Sequence, residues 1–262
     1  MAIICPLFSG SSGNSRFIET KCGAILVDAG ASLKGITEQL ALFDSDVSNI
    51  KAVAVTHEHI DHIKGLRALL KKSSAEVLAS SKTLEVLAQK DLLPPNVKVH
   101  ALDDGGMDVC GIEIKRFSTS HDCEGSSGFT FSLPEGKKIS VCTDLGVVTE
   151  EVRNALKGSD IVLLESNHDV EMLKKGPYPP ELKVRILGDK GHISNNVCAM
   201  ETVRLFKSGT QRFILGHLSQ NNNTPLLAKS TTEAVLMDIG AQNGKDYLLN
   251  IAGVKGNKVT VI

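Results

Sequence analysis

The chain has 262 residues, of which 42% are hydrophobic, and a formal net charge of −1. That length and apolar fraction exclude a disordered or fibrous protein and allow a large core. The near-zero charge excludes a global basic field, so any hold on nucleic acid must come from local patches.

In chain order, Ile3 to Phe8, Arg16 to Thr20 and Ala24 to Val27 read as strands, and Leu33 to Leu42 has helical spacing. Ile50 to Val55 reads as a short buried strand that runs into Thr56-His57-Glu58-His59-Ile60-Asp61-His62. Ile63 to Lys71 predicts a helix with a basic end, and Glu76 to Ala79 a strand. Ser81 to Gln89 predicts a helix with a serine available as N-cap. Ile112 to Phe117, Gly128 to Leu133 and Lys138 to Cys142 predict strands, Thr149 to Leu156 a helix, and Ile161 to Leu164 an apolar strand. Ser194 to Phe206, capped by Ser194, predicts a helix, Arg212 to Leu215 a strand and Pro225 to Met237 a helix. Tyr247 to Asn250 and Lys258 to Ile262 predict late strands. Two strand-rich halves with helices imply two packed sheets with helices on their outer faces.

The six cysteines, Cys5, Cys22, Cys110, Cys123, Cys142 and Cys198, form no C-x-x-C pair. Scattered over this length, they argue against a zinc knuckle or a disulfide framework. The first residues lack a basic region and a long apolar stretch, so no signal peptide is expected. No apolar run approaches a membrane span. Reduced thiols in a cytoplasm are the simplest reading.

His57, His59, Asp61 and His62 form the pattern H-x-H-x-D-H. Three imidazoles and a carboxylate this close are costly to desolvate unless a cation sits among them. Imidazole with carboxylate suits zinc, iron or manganese. The plain alternative is a solvated loop rich in histidine. Four other strand ends carry comparable groups: Asp28, His121, Asp144 and His217. A lone strand-end histidine is more often structural. Four such ends joining one H-x-H-x-D-H cluster make coincidence a poor explanation.

In order along nearly the whole chain, these residues make the sequence resemble a metallo-β-lactamase-fold hydrolase. The resemblance implies an α/β (α+β) fold, a four-layer αββα sandwich of two pseudo-symmetric halves, forming one domain over residues 1–262. It implies a dinuclear centre of zinc or manganese, with iron also acceptable. His57, His59 and His121 would bind one metal, Asp61, His62 and His217 the other, and Asp144 both. Asp28 would hold a ligand histidine by hydrogen bond; a strand-end turn is the alternative role. Asp144 stands where many true β-lactamases have cysteine, which resembles the phosphodiesterase and thioesterase branches. Flavo-diiron proteins of the fold have a carboxylate where this chain has His59, which disfavours that branch.

Three further segments resemble the exonuclease-like WalJ/YycJ-type branch of bacteria. The loop Ser9-Gly10-Ser11-Ser12-Gly13-Asn14-Ser15 offers amides and hydroxyls to a phosphate, or is an ordinary glycine-serine turn. Leu164-Glu165-Ser166-Asn167-His168-Asp169 follows a strand and is expected to face the site, with a helix cap at Ser166 or Asn167 as alternative. Gly191-His192-Ile193-Ser194-Asn195 opens a helix, whose N-terminus favours anions. The resemblance places His192 at the scissile phosphate, as general acid or transition-state donor, with a helix-cap role as alternative. Ser11, Ser12, Gly13, Asn14, Asn167, His168, Ser194 and Asn195 are the candidate substrate contacts. Lys174, Lys175, Lys183, Arg185 and Lys190 would flank the site if their loop covers it, or are solvated surface. His100 reads as a surface or turn residue.

The expected activity is metal-dependent phosphodiester hydrolysis, as a 5′-to-3′ DNA exonuclease in the cytoplasm. A metal-bridging hydroxide would attack phosphorus, with Asp61, Asp144 and His192 carrying the chemistry. A small thioester or cyclic phosphodiester substrate is the alternative. A metal-stabilised binding protein is the third reading, against which the complete ligand set argues.

Overall fold

In the computed structural model, residues 2–103, 105–256 and 259–261 are described. Fourteen strands follow in chain order among them: β1 (Ile3–Phe8), β2 (Ser15–Thr20), β3 (Gly23–Val27), β4 (Ile50–Ala54), β5 (Glu76–Ala79), β6 (Val99–Ala101), β7 (Gly106–Val109), β8 (Ile112–Ser118), β9 (Ser127–Ser132), β10 (Lys138–Cys142), β11 (Ile161–Glu165), β12 (Arg212–Gly216), β13 (Leu248–Ile251) and β14 (Thr260–Val261). They form two seven-stranded sheets, in the orders β14-β1-β2-β3-β4-β5-β6 and β13-β12-β11-β10-β9-β8-β7. Strands β3 to β6 run parallel in the first sheet, and β10 to β13 run parallel in the second.

The helices are α1 (Leu33–Leu40), α2 (Ile60–Ile63), α3 (Leu66–Leu70), α4 (Ser81–Gln89), α5 (Glu150–Leu156), α6 (Val170–Lys175), α7 (Pro180–Leu187), α8 (Asn195–Lys207) and α9 (Pro225–Asp238). Successive strand residues point to opposite faces, and here both faces are buried. In β3, Ile25 and Val27 enter the core between the sheets with Phe129, Phe131, Val141 and Leu163. Leu26, on the opposite face, packs with Ile36 of α1, Leu69 of α3 and Leu87 of α4. On the far side, Val162 and Phe213 pack with Val152 of α5, Leu205 of α8 and Leu236 of α9. The result is the four-layer αββα sandwich that the sequence implied. Each fully buried large apolar side chain contributes about 1.5–3 kcal/mol.

Most predicted elements form within a residue or two of their expected ends. The expected helix from Ile63 to Lys71 is instead two short helices separated at Gly65. There the backbone passes so close to Ala31 that an added Cβ would lie 2.1 Å from its carbonyl oxygen, and the Gly65 amide donates to Ala29 O at 2.7 Å. Leu33 to Leu42 ends as α-helix at Leu40 and tightens to a 3₁₀ turn over Ala41–Phe43. The stretch expected to be a lysine-rich loop folds as α6 and α7, capped by Asp169 and started by Pro180. The short strands β6 and β7 were not expected. His100 lies in β6, where Nε2 sits 2.7 Å from Glu76 Oε2. Of the last expected strand, Thr260–Val261 forms, and Lys258 and Ile262 lie outside the described residues. Among the described residues no helix is long and apolar enough to cross a membrane.

Candidate metal and catalytic site

Parallel strands put their carboxyl ends on one edge, where loops can present side chains from a rigid base. The ends of β3, β4, β10, β11 and β12 supply Asp28, the Thr56–His62 loop, Asp144, Glu165 and His217. Asp28, Asp144 and His217 all have left-handed backbones, with φ of 61°, 62° and 55°. Such a conformation costs roughly 1–2 kcal/mol in a residue with a Cβ. It turns each strand end abruptly and recurs where surrounding structure over-determines a functional residue.

The ligand-bearing side chains converge. Donor atoms of His57, His59 and His121 lie within 4.8 Å of one another, as do those of Asp61, His62 and His217, and those of His57, His62 and Asp144. Asp144 Oδ2 is 3.6 Å from His62 Nε2, and its Oδ1 is 3.4 Å from His217 Nδ1 and 3.9 Å from His121 Nε2. His57 Nε2 and Asp144 Oδ2 are buried without a hydrogen-bond partner. Orphaned donors inside converging imidazoles and carboxylates fit divalent cations, and the fold implies such ions as well.

Most of these rings are held at Nδ1. His62 Nδ1 is 2.8 Å from Asp28 Oδ2, His217 Nδ1 is 2.6 Å from Glu165 Oε1, and His121 Nδ1 is 3.2 Å from Gly191 O. Thr56 Oγ1 lies 3.0 Å from both oxygens of Asp28, to which it donates, and 3.0 Å from His57 Nδ1, from which it accepts. A carbonyl or carboxylate can only accept, so these contacts keep the proton on Nδ1 and direct Nε2 into the site. Asp28 therefore holds a ring rather than joining the converging donors.

The charges follow from burial and neighbours. Burial and the adjacent His62 push His57 well below the usual imidazole range, leaving it neutral. Burial would also lower His62, but Asp28 and Asp144 overcome it and raise the pKa to about 10. Burial would raise Asp144, but His217, His62, His57 and His121 hold it well below the carboxylate range. A proton on His62 Nε2 must leave before that atom can bind a cation. Metal uptake should therefore release a proton at neutral pH, and apparent affinity should weaken as pH falls from about 10. Calorimetry in buffers of different ionisation enthalpy reads this directly; uptake without proton release would contradict it.

His192 stands between the ligand rings, with ring centroids 5.1 Å from His121 and 5.2 Å from His217. Its Nδ1 lies 2.9 Å from Glu165 Oε1. Burial opposes its protonation, but Glu165 outweighs it and raises the pKa to about 9. The cleft over the site is lined by Ser11, His59, Asp61, His192, Asn167, Ser219 and, from the α6–α7 segment, Tyr178, Leu182, Arg185 and Ile186. Arg185 donates to Asp122 through Nε at 2.7 Å. Of the expected basic set, Arg185 alone lines this cleft.

The glycine-serine loop acts mainly as a brace. Asn14 Nδ2 lies 3.1 Å from Asp61 Oδ2, the Asn14 amide donates to Asp61 O, and the Gly13 amide donates to Gly10 O. Ser12 is placed away from the cleft, where Gln220 Nε2 donates to its Oγ at 3.3 Å. Asn167 reaches the cleft and donates to His217 O at 3.0 Å. His168 is buried, with burial lowering its pKa to about 4. Ser194 caps α8, and Asn195 accepts from Ser166 Oγ at 2.7 Å. The structure thus brings Ser11 and Asn167 to the cleft, and leaves Ser12, His168, Ser194 and Asn195 out of it.

Sequence reasoning gave no role to Glu165, Arg16, Asp122 or Cys123. Glu165 had a signal: an acid closing the wholly buried strand Ile161–Glu165. Arg16 is fully buried and donates to Asp28 Oδ2 at 2.8 Å, a charge pair no local pattern announces.

With fold and site described, the class is defined: the chain belongs to the β-lactamase superfamily, whose domain model matches residues 24–218. Within it, the chain is 36% identical over 244 residues to exodeoxyribonuclease WalJ of Streptococcus pneumoniae (strain D39), covering 92% of this chain and 90% of the relative. It is 34% identical over 242 residues to exodeoxyribonuclease YycJ of Bacillus anthracis, covering 92% and 91%. Among solved structures, Zn²⁺-bound PqqB from Methylobacterium extorquens aligns with a TM-score of 0.72 at 17% identity, covering all of both chains. YhfI from Bacillus subtilis aligns with a TM-score of 0.71 at 15% identity, covering 99% of this chain and 98% of its own. At these identities the solved structures share the fold.

Proposed function

We propose that this chain is a metal-dependent phosphodiesterase that shortens DNA from its 5′ end. The observation that carries the reading is the pair of donor trios flanking Asp144, with His192 beside them in an open cleft. His57, His59 and His121 would hold one divalent ion, Asp61, His62 and His217 a second, and Asp144 both. Zinc, manganese and iron all accept this donor set. Bound there, such a pair supplies a water of lowered pKa and positive charge for the phosphoryl oxygens.

The protein's own groups supply the rest. Glu165 keeps the proton on His192 Nδ1, so Nε2 faces the cleft and can donate to a phosphoryl or leaving oxygen. Among the described residues that line the cleft, Tyr178 is the one aromatic besides the histidines, the side-chain type on which a base stacks, and its hydroxyl accepts from Asn221 Nδ2 at 2.9 Å. The names of the 34–36% identical relatives support DNA as the polymer. We further read residues 1–262 as one domain that works in the cytoplasm.

The test is shortening of end-labelled duplex DNA with a 5′ phosphate, with manganese or zinc added. Wild type should degrade it from the 5′ end. An Asp61→Ala/His62→Ala variant should lose more than about 10³-fold, the scale set by removing one electrostatic group. Hydrolysis of a small thioester or cyclic phosphodiester, with DNA left intact in either metal, would move the substrate assignment and keep the centre.

A further inference from the structure

Beside the converging site lies a second, softer set of donors. Cys123 Sγ is 3.2 Å from His59 Nε2, and Asp122 Oδ1 is 3.4 Å from the same nitrogen. Ligand atoms of His59, Asp122 and Cys123 all lie within 4.8 Å of one another. Donors on one tetrahedral ion with bonds of about 2.0–2.3 Å sit roughly 3.3–3.7 Å apart. The Asp122 spacing of 3.4 Å falls in that range and the Cys123 spacing of 3.2 Å lies just below it, so a small adjustment admits a common cation. Arg185 engages Asp122 through Oδ2, which leaves Oδ1 between two histidines, His59 Nε2 and, at 3.3 Å, His121 Nε2. One residue before His59, Glu58 Oε2 is buried with no hydrogen-bond partner. His59 and Asp122 are each about a third exposed, with side-chain accessibilities of 34% and 29%, so an ion can enter from solvent.

We propose that His59, Asp122 and Cys123 form an inhibitory site for a thiophilic divalent cation. Zinc and cadmium favour thiolate, whereas manganese favours oxygen. Ligation replaces the Cys123 S–H bond by a sulfur–metal bond and releases that proton to solvent. His59 belongs to both donor groups. An ion on the thiol side either takes the ring nitrogen the first trio uses or, on the other nitrogen, weakens the ring as a donor. Excess zinc therefore lowers the activity of the manganese-loaded protein. The inhibition rests on the proposed function, but the ion site itself does not.

The probe is cadmium, added stepwise to the full chain purified with manganese. Wild type should develop a thiolate-to-cadmium charge-transfer band in the ultraviolet that saturates, and Cys123→Ser should lack it. Asp122→Asn should need at least about tenfold more cadmium, as expected when a metal site loses part of its donor set. Zinc inhibition of DNA shortening should weaken by a similar factor in Cys123→Ser, whose activity without zinc stays near wild type. Absence of the band in wild type, or an equal band in Cys123→Ser from another thiol such as exposed Cys22, overturns the site. A band that depends on Cys123 in a protein inactive on DNA supports the site and counts only against the nuclease reading.

Discussion

Glu165→Gln should slow DNA shortening by about 10²-fold or more, in the range that general acid–base groups supply. Glu165 is completely buried and accepts from His217 Nδ1 at 2.6 Å, from His192 Nδ1 at 2.9 Å and from the Ile193 amide at 3.2 Å. An ionised carboxylate only accepts, so it fixes both rings with the proton on Nδ1. Glutamine of the same shape must place its NH₂ at one of two positions. At the Oε1 position it stands against both ring nitrogens and reverses their tautomers; at the Oε2 position it faces the Leu145 and Ile193 amides donor to donor and loosens the carboxamide from both rings.

The effect carries a pH signature. Glu165 raises His192 to about 9 against burial, so His192 keeps its proton below that pH and loses it above. Cations bound nearby oppose the proton and move the limb lower in both proteins. Without the carboxylate, burial dominates, and the limb of the kcat profile should shift further toward acid. His192→Ala should lose the limb altogether and retain its metal, because it lies outside both ligand trios. An unchanged limb in Glu165→Gln would remove Glu165 from this role, and metal loss in His192→Ala would make His192 a ligand.

The converging residues that the sequence had already singled out share a property. His57, His59, Asp61, His62, Asp144 and His217 stand at the ends of apolar runs, so both their strand and their abrupt exit from it are written locally. Glu165 and Arg16 are single charges whose meaning depends on partners 27 and 12 positions away, His192 and Asp28. Burial of both members is a tertiary fact with no periodic trace. Helices α6 and α7 were hidden for a related reason. Their lysines are mostly exposed, few residues face the core, and Leu173 alone among the side chains of these two helices is fully buried. A helix that borrows its stability from neighbours gives a weak apolar stripe. The strands β6 and β7 are short edges with half-exposed faces, the setting in which strand propensity is least informative.

Arg16→Met should destabilise the fold by about 3–5 kcal/mol, the usual result of removing one partner of a buried ion pair. Against a total stability of about 5–15 kcal/mol, that is a large fraction. Arg16 starts in the first sheet and donates to Asp28 Oδ2 at 2.8 Å, Asn14 Oδ1 at 3.0 Å and Thr143 Oγ1 at 3.3 Å. Each partner touches or adjoins a ligand: Asp28 holds His62, Asn14 holds Asp61, and Thr143 precedes Asp144. The guanidinium thus clamps the two sheet ends together under the site. Protonated His62 partly compensates Asp28 when no metal is bound, so the loss should grow as pH rises through about 10 and that proton departs. The double variant Arg16→Met/Asp28→Asn removes both charges and should regain much of the stability, yet it should still bind metal 10–100-fold more weakly because His62 has lost its carboxylate. Urea unfolding with and without chelator, paired with metal analysis, separates the two effects. If the double variant were no more stable than Arg16→Met, the clamp would act through Asn14 and Thr143 rather than through the charge on Asp28.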